Sequence, residues 1–597
     1  MFTAQVVHFF EDDAAVWHKA ICDILFSTTA TWDRQQRAWK ALERLPEDAI
    51  TNLFEDTGLP LGKLLAPAPL PWLVRVARAY MNSSPDHFSC SATEAEACAN
   101  WKVLAEVTEL RALALTDVQR GSMAASDPIS RLLLSLPALT SLDLTQLDVT
   151  GSLAADLARN FAAMPQLKAL CLQGVWVPFE NIRDLCSGIT TLSSLTELNI
   201  AESVFVNNRE AAVVLSEHLP ALQLLQTLHA DRSNDEGSLE SVTEPLAAGL
   251  AALPALAQLD MGCHSFNEDD VEHLANALSG RRTLTVLWLR HCPHMGEFSS
   301  ETLSTCVATL SGLAVLFLGG TLLTGPGFST LAQALHNLSA LSQLDLSKCG
   351  LGAEEAEPLA AALPHLPCLV QLSVCDNALG EDGMAQLGPA IATCVQLQVV
   401  GAGCCRLGGA GAAQLCEDLA PLHGLSMLTL NGNGITGDAA PRLAAALEQL
   451  SALRSLDVWD NALGTAGVAA VCSTAAALTA LRLFGAGRDD NDGRGLAAAL
   501  RPLTRLQVLN AGGHPIGPVG VSVLAQSLAR LTALTELTLA KMNAQAAGFM
   551  ALAMHLSGLT ALRYLAVHGN GVERNSAARG ALASGLRRCS GLRIDFD

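Results

Sequence analysis

Aromatic rings, basic charge and a secretory leader are what this sequence has least of. Phe, Trp and Tyr make up 4% of 597 residues although 50% is hydrophobic, so a core of Leu, Ala and Val in small, uniform layers is implied. Lys and Arg number 37 against 58 Asp and Glu, a net charge of −21. That acidity speaks against a nucleic-acid or anionic-membrane surface, since phosphate binding needs concentrated Lys and Arg. A basic or mixed-charge protein partner is expected instead. The start, Met1 to Gln5 running into Glu11, Asp12 and Asp13, has neither the basic opening nor the apolar core of a secretory signal. The 17 cysteines are odd in number and lack the dense spacing of a secreted disulfide framework, so they are read as reduced thiols in a cytoplasmic protein. Thr302 to Leu344 carries no Asp, Glu, Lys or Arg, but Gly319, Gly320, Gly325, Pro326 and Gly327 interrupt it, and no membrane span is expected.

Catalytic signatures are missing as well. There is no G-x-x-x-x-G-K-[ST] loop, no G-x-S-x-G elbow and no H-E-x-x-H helix, so no enzyme and no cofactor are expected. Cys263-His264 and His291-Cys292-Pro293-His294 form the one metal-like grouping. It lacks C-x-x-C spacing and is read as structural, without a metal.

What is present is a repeat. The phrase L-x-x-L-x-L recurs from Leu110 onward, clearest at Leu341 to Leu346, Leu425 to Leu430 and Leu534 to Leu539. It starts at 110, 139, 167, 195, 225, 256, 284, 313, 341, 369, 397, 425, 453, 478, 506, 534 and 562, which is 17 units mostly 28 residues apart. Between phrases run stretches such as Leu443-Ala-Ala-Ala-Leu447, whose apolar residues four apart put a leucine ridge on one helix face. Each unit is therefore predicted as strand, loop and helix, and only stacking buries both leucine sets. Strands pack about 4.8 Å apart and helices about 10 Å apart, so the stack should curve with strands inside. The predicted fold class is an α/β leucine-rich-repeat horseshoe solenoid over residues 101–597. Asn377, Asn433, Asn461 and Asn570 hold the ninth position of their units and are read as a backbone-bonding ladder.

The period, the helical returns and the run Leu428-Thr-Leu-Asn-Gly-Asn433-Gly-Ile435-Thr-Gly437-Asp438 resemble the ribonuclease-inhibitor type of leucine-rich repeat. Ribonuclease inhibitors, NOD-like receptors, Ran GTPase-activating proteins and some axonemal regulatory subunits share that type, so the resemblance implies an intracellular binding scaffold. Asn fills its slot in four of the 17 units, which marks a divergent member. Residues 1–100 carry no repeat but hold Trp17, Trp32, Trp39 and Trp72, and are read as a small helical capping or adaptor domain. Leu45 to Phe54 is faintly similar to the start of an F-box, the module that joins substrate receptors to ubiquitin ligases.

On each predicted strand the leucines point into the core, so the third, fifth and seventh positions face the concave side. Most are small or polar, and two aromatic pairs break the pattern. Trp288 and Phe317 share the fifth position of adjacent units, about 5 Å apart by strand spacing, with Asp260 and Arg290 beside them. Trp459 and Phe484 share the seventh position of another adjacent pair, with Asp457 and Arg482 beside them. Those two units are separated by 25 residues, which predicts a return helix shorter by nearly a turn. Tyr564, at a third position, is a further candidate. Exposed aromatics and Arg in a polar field are the residue types that carry interface energy, and these nine are the expected partner-binding residues.

Overall fold

A computed structural model describes residues 89–91, 111–116, 126–147, 149, 153–232, 241–292, 297–474, 476–483, 485, 493–572, 577–589 and 592–596. The four early Trp residues and the F-box-like stretch lie outside them. The chain divides into two compact units, Met1–Met261 and Gly262–Asp597.

The first unit holds strands β1 (Ser89–Ser91), β2 (Ala112–Thr116), β3 (Ser141–Asp143), β4 (Ala169–Cys171), β5 (Glu197–Asn199), β6 (Thr227–His229) and β7 (Gln258–Asp260). The second holds β8 (Val286–Trp288), β9 (Val315–Phe317), β10 (Gln343–Asp345), β11 (Gln371–Ser373), β12 (Val399–Gly401), β13 (Met427–Thr429), β14 (Ser455–Asp457), β15 (Ala480–Arg482), β16 (Val508–Asn510), β17 (Glu536–Thr538), β18 (Tyr564–Ala566) and β19 (Arg593–Asp595). Strands consecutive in sequence pair in parallel within each unit. From β2 to β18, every strand begins two residues after a predicted phrase start. β1 precedes residue 101 and pairs with β2, Ser89 opposite Ala114.

From β2 to β18 each strand is followed by a helical return, such as Ala353–Ala362, Gly408–Asp418 or Ala440–Gln449. The fold is an α/β leucine-rich-repeat solenoid, one layer of parallel strands backed by one layer of helices. The core lies between the layers: Leu341, Leu344 and Leu346 from the strand side and Leu359, Leu363, Leu524 and Leu528 from the helix ridges are fully buried. Repetition rather than size makes that core, because each unit has too few neighbours to bury its leucines until the next one stacks. The charge-free stretch 302–344 is ordinary repeat, passing through the helix Gly325–Leu335. No helix among the described residues is long and apolar enough to cross a membrane.

The exit from each strand is a recurring left-handed turn. Fifteen units place their eighth residue at φ between +53° and +80°, among them Gln146, Glu202, Lys348, Cys404, Gly432 and Lys541; Arg232 is the described exception. The turn aims the ninth side chain back beneath the strands. There Asn377 accepts the N–H groups of Cys349 and Leu351 and donates to the carbonyls of Leu346 and Val374, all at 2.8 to 3.1 Å. Asn433 and Asn570 repeat that arrangement. Where the slot holds another residue, a smaller donor reaches the same kind of carbonyl: the Cys349 thiol donates to Leu318 O at 3.2 Å, and the Thr321 hydroxyl to Leu289 O at 2.7 Å.

Candidate functional site

β8 and β9 are in register, with Trp288 directly opposite Phe317. The leucines before them, Leu287 and Leu316, are fully buried, so strand alternation sends both rings to the other face. The ring centroids lie 6.5 Å apart with a 41° tilt. Arg290, two residues beyond Trp288, holds its guanidinium 5.9 Å from the Trp288 ring centroid and 5.8 Å from that of Phe317. Both rings are half-buried and the arginine is exposed. A guanidinium over two ring faces is a cation–π arrangement that fixes a flexible side chain in place and leaves its outer surface to a partner. Beside Phe317 the seventh position is Gly319, where an added Cβ would stand 3.0 Å from Asp345 Oδ2. Asp260, expected beside this cluster, is a buried residue of the first unit.

Four strands separate this cluster from the second one, a distance of roughly 24 Å from β9 to β14 at normal strand spacing. Between them the fifth positions hold small or polar side chains, Asp345, Ser373, Gly401 and Thr429, while Met427 at the third position of β13 stands 41% exposed. A Cβ at Gly401 would sit 2.8 Å from Ser373 Oγ and 3.0 Å from Cys375 Sγ, so any larger residue would make both side chains turn aside.

In the second cluster Asp457 lies opposite Arg482, and their charged groups meet at 3.5 Å. Asp457 Oδ1 also accepts the Trp459 N–H at 3.0 Å. Burial pushes the Asp457 carboxyl above its ordinary range, and the Trp459 N–H and Arg482 pull it partly back. Trp459 is 44% exposed. Phe484 lies outside the described residues. The return helix here, Gly464–Thr474, has the same 11 residues as Gly408–Asp418. The three missing residues are instead lost from the connection to β15, which runs over 475–479 where the earlier repeat uses 419–426. A helix needs its full length to present its buried ridge, and a surface connection does not.

Tyr564, on β18, donates its phenol hydrogen to Asp595 Oδ2 at 3.1 Å, and the same oxygen lies 3.7 Å from His568 Nδ1. Burial and then the Asp595 carboxylate raise the phenol's proton affinity. Tyr564 is thus tied into a polar cluster of its own, far from either aromatic pair along the strand order.

The metal-like grouping separates into ordinary parts. His264 is buried and stacks on Phe266 at 5.3 Å and 8°, and Cys292 is buried with its thiol 3.6 Å from Arg290 O. His294 lies outside the described residues. Among the described residues no three or more His, Cys, Asp or Glu side chains converge to hold a metal ion.

Sequence reasoning that looked only at strand positions missed two exposed aromatics after β4, Trp176 in the loop and Phe179 at the start of the helix Phe179–Ile189. Trp176 is 52% and Phe179 58% exposed. Their signal was available: a Trp and a Phe flanking Val177-Pro178, just past the strand, in a chain with few aromatic residues.

No protein-family model matches the chain, and no curated protein matches it. Among solved structures, an internalin (inlF) from Listeria monocytogenes is similar over 66% of this chain and 94% of its own, at 18% identity and a TM-score of 0.37. The mouse RP105/MD-1 complex contains a chain similar over 81% of this one and 78% of its own, at 16% identity and a TM-score of 0.39.

Proposed function

We propose that this chain is an intracellular protein-interaction scaffold that binds a protein partner on the strand face of its second unit. The observation that carries the reading is the Arg290 guanidinium held within 6 Å of both the Trp288 and Phe317 rings, next to fifth positions held by Asp345, Ser373, Gly401 and Thr429. Such a cluster joins the three properties of an interface anchor: large apolar area, a fixed cation and partial desolvation before binding. Trp459, with the Asp457–Arg482 pair, is the second anchor, and Phe484, Tyr564 and Asp260 are proposed as further contact residues. Large solenoid faces suit this work because one rigid sheet offers several separated anchors to one partner.

Binding rather than catalysis is further supported by the state of the thiols. The 14 cysteines from Cys171 to Cys589 are free, and burial pushes Cys186, Cys349, Cys405, Cys416 and Cys472 up to about 12. Such thiols stay protonated at neutral pH and pack as small apolar groups. Their free state also fits a reducing, cytoplasmic setting. Affinity purification of the intact chain, beside a version with Trp288, Phe317, Trp459 and Phe484 changed to Ala, tests the proposal. A partner lost only from the variant supports it, and an identical set of partners overturns the site.

The ribonuclease-inhibitor-type resemblance supplies a second reading, in which the partner is an enzyme that the chain regulates. The 28-residue period with helical returns favours it. Purified chain should then accelerate GTP hydrolysis by a Ran-type GTPase or block RNA cleavage by a secreted-type ribonuclease; no effect in both assays removes this reading.

A further inference from the structure

The net charge of −21 conceals a segregation. Residues 493–597 contain 11 Lys and Arg and 4 Asp and Glu, a balance of +7; the remaining 26 and 54 give residues 1–492 a balance of −28. The change is abrupt on the helix layer of the second unit. Helices Ala353–Ala362, Gly380–Ile391, Gly408–Asp418 and Ala440–Gln449 all carry carboxylates, from Glu354 to Glu448. The next five, Gly464–Thr474, Arg494–Leu500, Gly517–Leu528, Gln545–His555 and Ala577–Gly585, carry none.

Two features occupy that carboxylate-free layer. Val519, Met550 and Met554 stand 71%, 52% and 69% exposed on two adjacent helices, with Met550 and Met554 one turn apart on the same face. Arginines line the turns that close the helices. Leu531, Leu559 and Cys589 are equivalent buried residues of those turns, each donating its N–H three residues back at 2.9 to 3.0 Å, and the Cys589 thiol reaches Leu559 O. The residues just before them are Arg530, Gly558 and Arg588. Arg530 and Arg588 thus flank the end of the methionine-bearing helix from both neighbouring repeats, with Arg501 and Arg587 one place earlier in their own turns. All four are exposed. Among the described residues no carboxylate lies within ion-pair distance of them. Glu536 and Asp595, the carboxylates described in this region, are strand residues on the other layer.

We infer that the helix face formed by Gly517–Leu528, Gln545–His555 and the turns that carry Arg501, Arg530, Arg587 and Arg588 docks on an anionic lipid surface, with Met550, Met554 and Val519 entering the apolar boundary and the four arginines meeting the headgroup phosphates. Charge complementarity selects this end of the unit, since Ala353–Ala362, Gly380–Ile391 and Gly408–Asp418 carry carboxylates and no basic residue and would be repelled. The anchors are flexible aliphatic and thioether chains without an aromatic ring to fix a protein partner's position, which suits an acyl-chain boundary that asks for no directional bond. A nucleic-acid backbone would satisfy the arginines but offers nothing to three exposed apolar side chains. The inference is independent of the strand-face proposal and uses none of its residues.

Vesicle co-sedimentation of the full chain tests it, with phosphatidylcholine vesicles prepared with and without phosphatidylserine. The unaltered chain should bind the phosphatidylserine vesicles at least about tenfold more tightly and be released by salt. A variant carrying Arg501→Gln, Arg530→Gln and Arg588→Gln should lose about tenfold of that binding, and one carrying Met550→Ser and Met554→Ser should lose binding to a similar extent. Melting curves of both variants should match the parent, because every altered side chain is exposed. Equal partition to both vesicle types, no binding to either, or variants that bind like the parent would overturn the proposal. So would tight binding of a duplex DNA oligonucleotide that phosphatidylserine vesicles fail to displace.

Discussion

Asn461 Oδ1 accepts the backbone N–H of Asn433 at 3.0 Å, although 28 residues separate them, because the two hold the same slot in consecutive repeats. The same oxygen accepts the Ile435 N–H, and the Asn461 amide donates to Leu430 O and Val458 O at 2.9 Å. One buried side chain therefore satisfies four backbone groups that the left-handed turn leaves without strand partners.

Asn461→Ala should destabilise the second unit by about 3 kcal/mol, since each buried group left without a partner costs about 1–3 kcal/mol and some will recruit water. Urea unfolding of parent and variant measures it. A loss below about 1 kcal/mol would mean that the backbone closes without the ladder.

Arg290→Ala should weaken partner binding by roughly 1–2 kcal/mol, and Arg290→Lys should recover only part of that. The lysine keeps the charge but not the planar group that spans both rings. Isothermal titration with the partner retrieved by affinity purification reads the difference. Equal affinity for the Lys variant and the parent would reduce the cluster to simple charge.

Much of this architecture was legible in the residues because a repeat states its period many times. The phrase Leu-x-x-Leu-x-Leu locates each strand from β2 to β18, and strand alternation then places Trp288 against Phe317. Two things escaped the pattern for physical reasons. The shortening between β14 and β15 was assigned to the helix, because spacing alone counts residues without saying which segment lost them. The charge segregation past residue 492 was averaged away in a single net charge, and exposed residues such as Met554 fit a helix ridge as easily as a surface. Asp260 and Tyr564 match the positional rule as well, and burial of the first and the Asp595 bond of the second are features that position alone does not give.

The buried thiols set up a labelling prediction. Cys349, Cys405, Cys416 and Cys472 are held protonated by burial, whereas Cys368 is exposed. Brief iodoacetamide treatment of the folded chain near pH 8 should alkylate Cys368 and leave those four intact; urea should level the rates. Peptide mass spectrometry reads each site. Equal labelling of Cys416 and Cys368 in the folded chain would show that the helix layer opens far more readily than its packing implies.

Asp457 makes a prediction whose sign is set by burial outweighing its partners. Its carboxyl is raised in the fold above the ordinary range, so the protonated form is the one the fold favours. The corresponding stability is fully present below the unfolded carboxyl's pKa and is lost as pH rises through the raised value. At neutral pH the ionised side chain is therefore a cost that Asp457→Asn removes, while an amide oxygen can still accept the Trp459 N–H. Arg482, 63% exposed at its side chain, remains hydrated without its pair and should lose little. The melting temperature of the variant relative to the parent should climb as pH is raised through the carboxylate range and then level off by neutral pH. A relative melting temperature that falls over that range would mean that the Arg482 pair, not burial, governs the site, and that the second cluster is held together by charge.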